Sequence, residues 1–223
     1  MRPTLLLGLF AILMPVAFAQ ARPDVPEVLK KVSETYRGAK EYEIISTSTG
    51  TASPGRLLLA FRAPNRYRME GADPNMDNAD GTFDEIILVC DGSSEWLYHP
   101  KGNEYGVVTG RDVAGDFGAM EDLAIGRFRR AADLSGKAMF VREEPLQING
   151  TDVDCYVLTL PISIPREGTS VHTWWVDKKS NRVVREDHDG SSVVFTIIKL
   201  NEPLPDDLFK FAPPPGARKM AGN

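Results

Sequence analysis

The segment Asp84 to Pro100, DEIILVCDGSSEWLYHP, constrains the fold more than any other stretch of this 223-residue chain. Ile86, Ile87, Leu88, Val89 and Cys90 run without a polar break, Asp91-Gly92 supplies a turn, and Trp96, Leu97 and Tyr98 return. That is the pattern of a β-hairpin. An antiparallel strand with one face in water alternates apolar and polar residues. This one is apolar on both faces. Either both faces are covered by other parts of the chain, as for a central strand between a helix and more sheet, or one face lines something greasy.

The first residues read as a leader rather than as part of the fold. A basic start at Arg2 is followed by an apolar run from Leu5 to Met14, too short to span a bilayer, then Pro15 and a small-x-small site at Ala17-Phe18-Ala19. Residues 1–19 are therefore expected to be a signal peptide, and residues 20–223 a single domain released in soluble form into the periplasm. Without Arg2 the chain carries 25 basic against 31 acidic residues. That net negative, interspersed charge argues against a surface for nucleic acid or anionic membrane. The two cysteines, Cys90 and Cys155, are not spaced as a redox pair and are too few for a zinc site. In an oxidising compartment they are expected to form one disulfide; two separate buried thiols are the alternative.

Along the chain, Asp24 to Arg37 reads as an amphipathic helix. Asp24 and Glu27 form a capping-box pattern, Val28, Leu29, Val32 and Tyr36 share one face, and Gly38 provides a stop. From Glu41 the period changes to two. Leu57, Leu59 and Phe61 lie on one face of a strand, as do Tyr67 and Met69 after the Ala63-Pro64-Asn65 break. Gly71 to Thr82 reads as a polar loop. Its Asp73, Asn75 and Asp77 resemble the start of a calcium loop, but Pro74, Asn78 and Asp84 depart from it, so a solvated loop is the better reading. Asp112 to Asp133 breaks the β pattern, with Val113, Phe117, Met120, Leu123, Phe128 and Ala131 recurring at helical spacing and Gly115, Gly118 and Gly126 weakening the helix. About five further strands follow, with turns at Asn149-Gly150 and Asp189-Gly190. The sum is about eleven strands, mainly β with α, arranged as an open antiparallel sheet curled around an N-terminal helix and an inserted helical lid.

Motifs for catalysis or metal binding are missing. His99, His172 and His188 are not in HExxH and have no cysteine at ligand spacing. There is no GxSxG elbow, P-loop or dinucleotide fingerprint. No cofactor, metal or enzymatic activity is expected.

Three ordered segments and the leader–helix start carry a family resemblance: LLLAFRAPNRY at 57–67, ILVCDGSSEWLYHP at 87–100 and FKFAPPPG at 209–216. Together they resemble the LolA-like periplasmic lipoprotein carriers across nearly the whole mature chain. The resemblance implies an open half-barrel closed by helices, with a hydrophobic cavity for lipoprotein acyl chains or other lipid. It implies a monomer that takes its cargo from an inner-membrane donor complex to an outer-membrane acceptor. Leu57, Leu59, Phe61, Tyr67, Met69, Leu88, Trp96, Tyr98 and Trp175 would line the cavity, and Phe117, Met120 and Phe128 of the insert would cover it. The family has an arginine directly before Pro-Asn that ties lid to barrel. Here Ala63 holds that place and Arg62 stands one residue early, pointing to the other face. The lid is then expected to be held mostly by apolar contact. The wider superfamily also implies an alternative, an envelope-stress sensor or assembly protein on the same scaffold.

Overall fold

The computed structural model describes residues 22–50, 55–77, 83–109, 118, 121–164 and 168–220. The leader at 1–19 lies outside the described residues. Helix α1 (Val25–Arg37) forms where the sequence places it: the Asp24 carboxylate accepts from the Glu27 backbone N–H, and Val28, Leu29, Val32, Ser33 and Tyr36 make its buried face. No helix among the described residues is long and apolar enough to cross a membrane.

The strands build outward in two runs. β1 (Glu41–Gly50), β2 (Gly55–Arg62), β3 (Arg66–Asp77), β4 (Phe83–Asp91), β5 (Ser94–His99) and β6 (Glu104–Thr109) form a meander. The second run is β7 (Met139–Ile148), β8 (Thr151–Ile164), β9 (Gly168–Asp177), β10 (Val183–His188) and β11 (Ser191–Leu200), followed by a two-residue β12 (Arg218–Lys219). All join one open sheet in the order β12-β6-β5-β4-β3-β2-β1-β11-β10-β9-β8-β7. Every pairing is antiparallel except β12 on β6. β3 continues as strand through Asp77, where the sequence suggested a loop from Gly71. The Asn149-Gly150 and Asp189-Gly190 turns have φ positive at both residues, the type I′ geometry whose twist matches a hairpin.

This order dictates where the insert runs. β6 and β7 are ten strand positions apart, which at about 4.8 Å per strand is about 48 Å along the sheet. The 29 residues between Thr109 and Met139 must bridge that span. Their described part, Asp122–Gly126 in a π-helical turn, Arg127–Arg129 in an α turn and Ala131–Leu134 in a 3-10 turn, crosses the sheet on the face that carries α1.

That inner face holds the main core. Leu29, Val32 and Tyr36 of α1 and Ile125, Phe128 and Ala131 of the insert pack on Tyr42, Leu59, Tyr67, Met69, Leu88, Leu158, Trp174 and Phe195. The outer face is covered near its middle by the C-terminal segment, where Leu204 and Phe209 pack on Leu58 and Ala60. So the two apolar faces of β4 have different covers. Leu88 and Cys90 join the inner core. Val89, fully buried on the other side, is paired with Trp96, against which the ring of Phe211 lies.

Candidate functional site

A cavity of ≈ 230 Å³ lies between the insert and the inner face of the sheet. Ala124 and Arg127 form its insert side, and Leu57, Val193 and Phe195 most of its apolar floor, with Ser46, Ser48 and Arg56 toward one side. The ring of Phe128 sits 5.1 Å from Tyr36, 5.1 Å from Trp174 and 5.5 Å from Phe195, plugging the groove from the insert side.

The residues that the sequence suggested for the cavity divide into three groups. Leu57, Leu59, Phe61, Tyr67, Met69, Leu88 and Phe128 belong to the inner core, and of these Leu57 borders the cavity. Phe117 and Met120 lie outside the described residues. Trp96, Tyr98 and Trp175 are on the outer face, a correction with a register cause. Leu88 pairs with Leu97, so Trp96 and Tyr98 point the other way, onto Phe211. Likewise Trp174 is the inner indole, whereas Trp175 packs with Cys155, Val157 and Val184, beneath the guanidinium of Arg185.

The expected disulfide is also corrected. Cys90 and Cys155 are both free and buried. Cys90 lies on β4 in the inner core and Cys155 on β8 in the outer cluster, with six strands between them. Bridging requires Cα atoms within about 7 Å.

The insert is not held by apolar contact alone. Arg127 donates through Nε to both carboxylate oxygens of Glu186, at 2.9 and 2.7 Å, and through Nη2 to Oε2. Glu186 is fully buried. It also accepts from Trp174 Nε1 at 2.9 Å and lies 2.7 Å from His172 Nδ1. Burial alone would raise the Glu186 pKa, but Arg127, His172 and Trp174 together hold it down at about 2. A second tie joins the insert to β1: Glu121 accepts from the Tyr42 hydroxyl and, at 2.9 Å, from Arg129. A third joins it to α1, where the Arg129 carbonyl accepts from Ser33 Oγ at 2.5 Å and Arg37 Nε at 2.7 Å.

Arg62, one residue before Ala63, faces outward as its offset predicts. It donates to Glu41 at 2.8 Å, to Asp206 and to the Leu204 carbonyl, and lies over the Phe209 ring. It clamps the C-terminal segment and not the lid.

Ser170, His172 and Glu186 are connected as a nucleophile, base and orienting carboxylate would be, with Ser170 Oγ 2.9 Å from His172 Nε2. Two features separate this cluster from a hydrolytic site. The Glu186 charge is taken up by the Arg127 guanidinium before it can polarise the imidazole. His172 is 1% exposed, with His188 stacked on it at 4.5 Å. None of these residues was singled out by motif. No sequence signal pointed to Glu186, which stands in the polar stretch Arg185-Glu186-Asp187-His188.

No known family profile matches the chain. It is 28% identical over 224 residues to the uncharacterized protein MJ0687 of Methanocaldococcus jannaschii, an alignment covering 97% of this chain. The chain spans 60% of the length of that relative. Among solved structures it is similar to LprF of Mycobacterium bovis, with TM-score 0.56 and 12% identity over 82% of this chain and 97% of that one. It is also similar to the lipoprotein LppX of Mycobacterium tuberculosis, with TM-score 0.50 and 13% identity over 84% of this chain and all of that one. At such identities the likeness is one of fold. In fold, the chain is a LolA-like open half-barrel.

Proposed function

We propose that the protein binds the acyl chains of lipids or lipoproteins between its helical insert and the inner face of its sheet, and carries or sequesters them in the periplasm. The observation that carries this reading is the apolar cavity at that junction, floored by Leu57, Val193 and Phe195. At ≈ 230 Å³ it is smaller than the roughly 300–1,000 Å³ of most ligand sites. In this arrangement the insert lies closed on the sheet, with Phe128 filling the groove. An acyl chain enters as the insert lifts, and each methylene it buries offsets about 0.8 kcal/mol of the apolar area exposed by lifting. The reading assigns no catalytic residue, and transfer from an inner-membrane donor to an outer-membrane acceptor belongs to it.

A fluorescent long-chain acyl probe tests the reading. The parent should take up the probe, and Leu57→Arg, which puts a charge on the cavity floor, should lose uptake while keeping its circular dichroism spectrum. Native mass spectrometry of protein taken from its own compartment should show bound lipid. Equal uptake by both proteins, or isolation with a stable protein partner and no lipid, would replace this reading with that of an interaction protein on the same fold.

A further inference from the structure

The cavity floor carries a buried hydroxyl. Along β1 the inner face changes from Tyr42 and Ile44 to Ser46 and Ser48 where the strand passes beneath the insert. Ser46 stands in register between Leu57 of β2 and Phe195 of β11. It is 5% exposed and borders the cavity, and among the described residues its hydroxyl has no hydrogen-bond partner. Burying a hydroxyl without a partner costs free energy, and native proteins pair such groups as a rule. We infer that Ser46 is the residue that recognises the polar end of the cargo: its hydroxyl donates to the carbonyl oxygen of an acyl ester held inside the cavity. This names the class of ligand and rests on the lipid-binding reading above.

The strands on either side keep Ser46 unpaired and the space over it open. β11 has a bulge at this point. Ile45 pairs with Ile197 and Ser46 with Phe195, so Thr196 has no opposite residue on β1, and its hydroxyl donates to the Ile45 carbonyl at 3.3 Å. In even register Thr196 would stand opposite Ser46, where hydroxyls pair across strands. The bulge sets an aromatic ring there instead. On the other side Leu57 leans over Gly71 of β3, where an added Cβ would come 3.0 Å from Leu57 Cδ1. Further along the floor Gly55, opposite Ser48, has nothing within 4 Å of where its Cβ would be.

The other polar residues lining the cavity are engaged. Ser48 donates to the Gly55 carbonyl at 3.3 Å, Arg56 pairs with Glu70, and Arg127 is held by Glu186. An ionised carboxylate beside Ser46 would be a buried charge facing cations that already have partners, which is unfavourable. A neutral carbonyl needs one donor, and Ser46 supplies it.

Displacement of the fluorescent acyl probe by compounds of equal chain length tests the assignment: a fatty acid methyl ester, the free acid and the alkane. Ser46→Ala removes only the oxygen. It should weaken binding of the ester by about 3- to 10-fold, the range of one net hydrogen bond, and leave binding of the alkane no weaker. The parent should hold the ester more tightly than the ionised acid. An ester carrying carbon-13 at its carbonyl gives a second readout that needs no variant. Its infrared carbonyl stretch should fall in frequency on binding, as a carbonyl does when it accepts a hydrogen bond. Ester binding unchanged in Ser46→Ala, equal losses for ester and alkane, a carbonyl stretch at its hydrocarbon value, or acid bound more tightly than ester overturns the assignment while the lipid reading stands. Failure of the probe and all these compounds to bind the parent removes the lipid reading and this inference with it.

Discussion

Arg127 and Arg62 perform the same task on opposite faces of one sheet. Each clamps a crossing segment to it through a carboxylate: Arg127 the insert through Glu186, Arg62 the C-terminal segment through Glu41 and Asp206. Their surroundings differ. Glu186 has a side-chain exposure of 0%, Asp206 of 69%. In water the attraction between such charges is nearly matched by hydration, so the Arg62 clamp adds little beyond the packing of Leu204 and Phe209 around it. In the interior, removal of one partner leaves the other charged and unsolvated. The outer cover is fixed by packing and partly solvated ion pairs, and the inner one adds a fully desolvated carboxylate to the packing of Ile125, Phe128 and Ala131.

The largest expected effect follows from the inner clamp. Arg127→Met or Glu186→Gln should each lower unfolding stability by about 3–5 kcal/mol, read from denaturant midpoints, whereas the double variant Arg127→Met/Glu186→Leu should recover most of the loss. A double variant no better than the singles would dissolve the contrast between the two clamps. Next comes acid. Glu186 titrates at about 2 in the folded protein and at roughly 4.3 in an unfolded chain. Its contribution is complete above the unfolded value and is lost as pH falls toward the folded one. Urea midpoints of the parent should therefore decline between these values more steeply than those of Glu186→Gln.

Smaller effects belong to the outer face. Arg62→Ala should cost about 1 kcal/mol, from its two partly solvated ion pairs, with Glu41 and Asp206, and the lost packing of its stem. Limited proteolysis should then cut near Leu204, with exchange protection of the insert unchanged. Asp206→Asn should be the mildest change, shifting the thermal midpoint at about 0.01 M salt and leaving it unmoved at about 0.15 M. A shift that survives salt would mean the outer clamp is as costly to break as the inner one.

What the sequence made legible was local. The Asp24 cap, the helical period of α1 and the Asn149-Gly150 and Asp189-Gly190 turns act within a few residues, and each appears in the structure. The side of the sheet to which a residue points was legible where one face is polar. Arg62, offset by one from the family's arginine, shows this, since it faces outward. It failed where both faces are apolar. In β5 and in Trp174-Trp175 the period of two is uninformative, because shifting by one residue exchanges one apolar set for another. Trp96, Tyr98 and Trp175 were misplaced for that reason. The disulfide and the Arg127–Glu186 pair failed differently, since both depend on which strands end up adjacent. Burial first, then the nearby Asp177 and Asp154 carboxylates, push the Cys155 thiol up to about 12. Alkylation of native protein should spare it, and two free thiols should count in denaturant without reductant.

The pairing of β1 with β11 has a kinetic consequence. Tyr42 sits opposite Leu200, 158 positions later in the chain, so the centre of the finished sheet is its last seam to close. Contacts of such sequence separation form slowly. Until β11 arrives, β1 is hydrogen-bonded to β2 on one side only, and its other edge, with Ile44 and Ile45 along it, is a template for any extended chain. That interval is when this protein is open to mispairing, and chains truncated before β11 should aggregate through that edge. The same seam permits exchange between copies: two molecules can trade their β7–β11 halves, with the insert as the hinge, and rebuild every strand pair of the monomer.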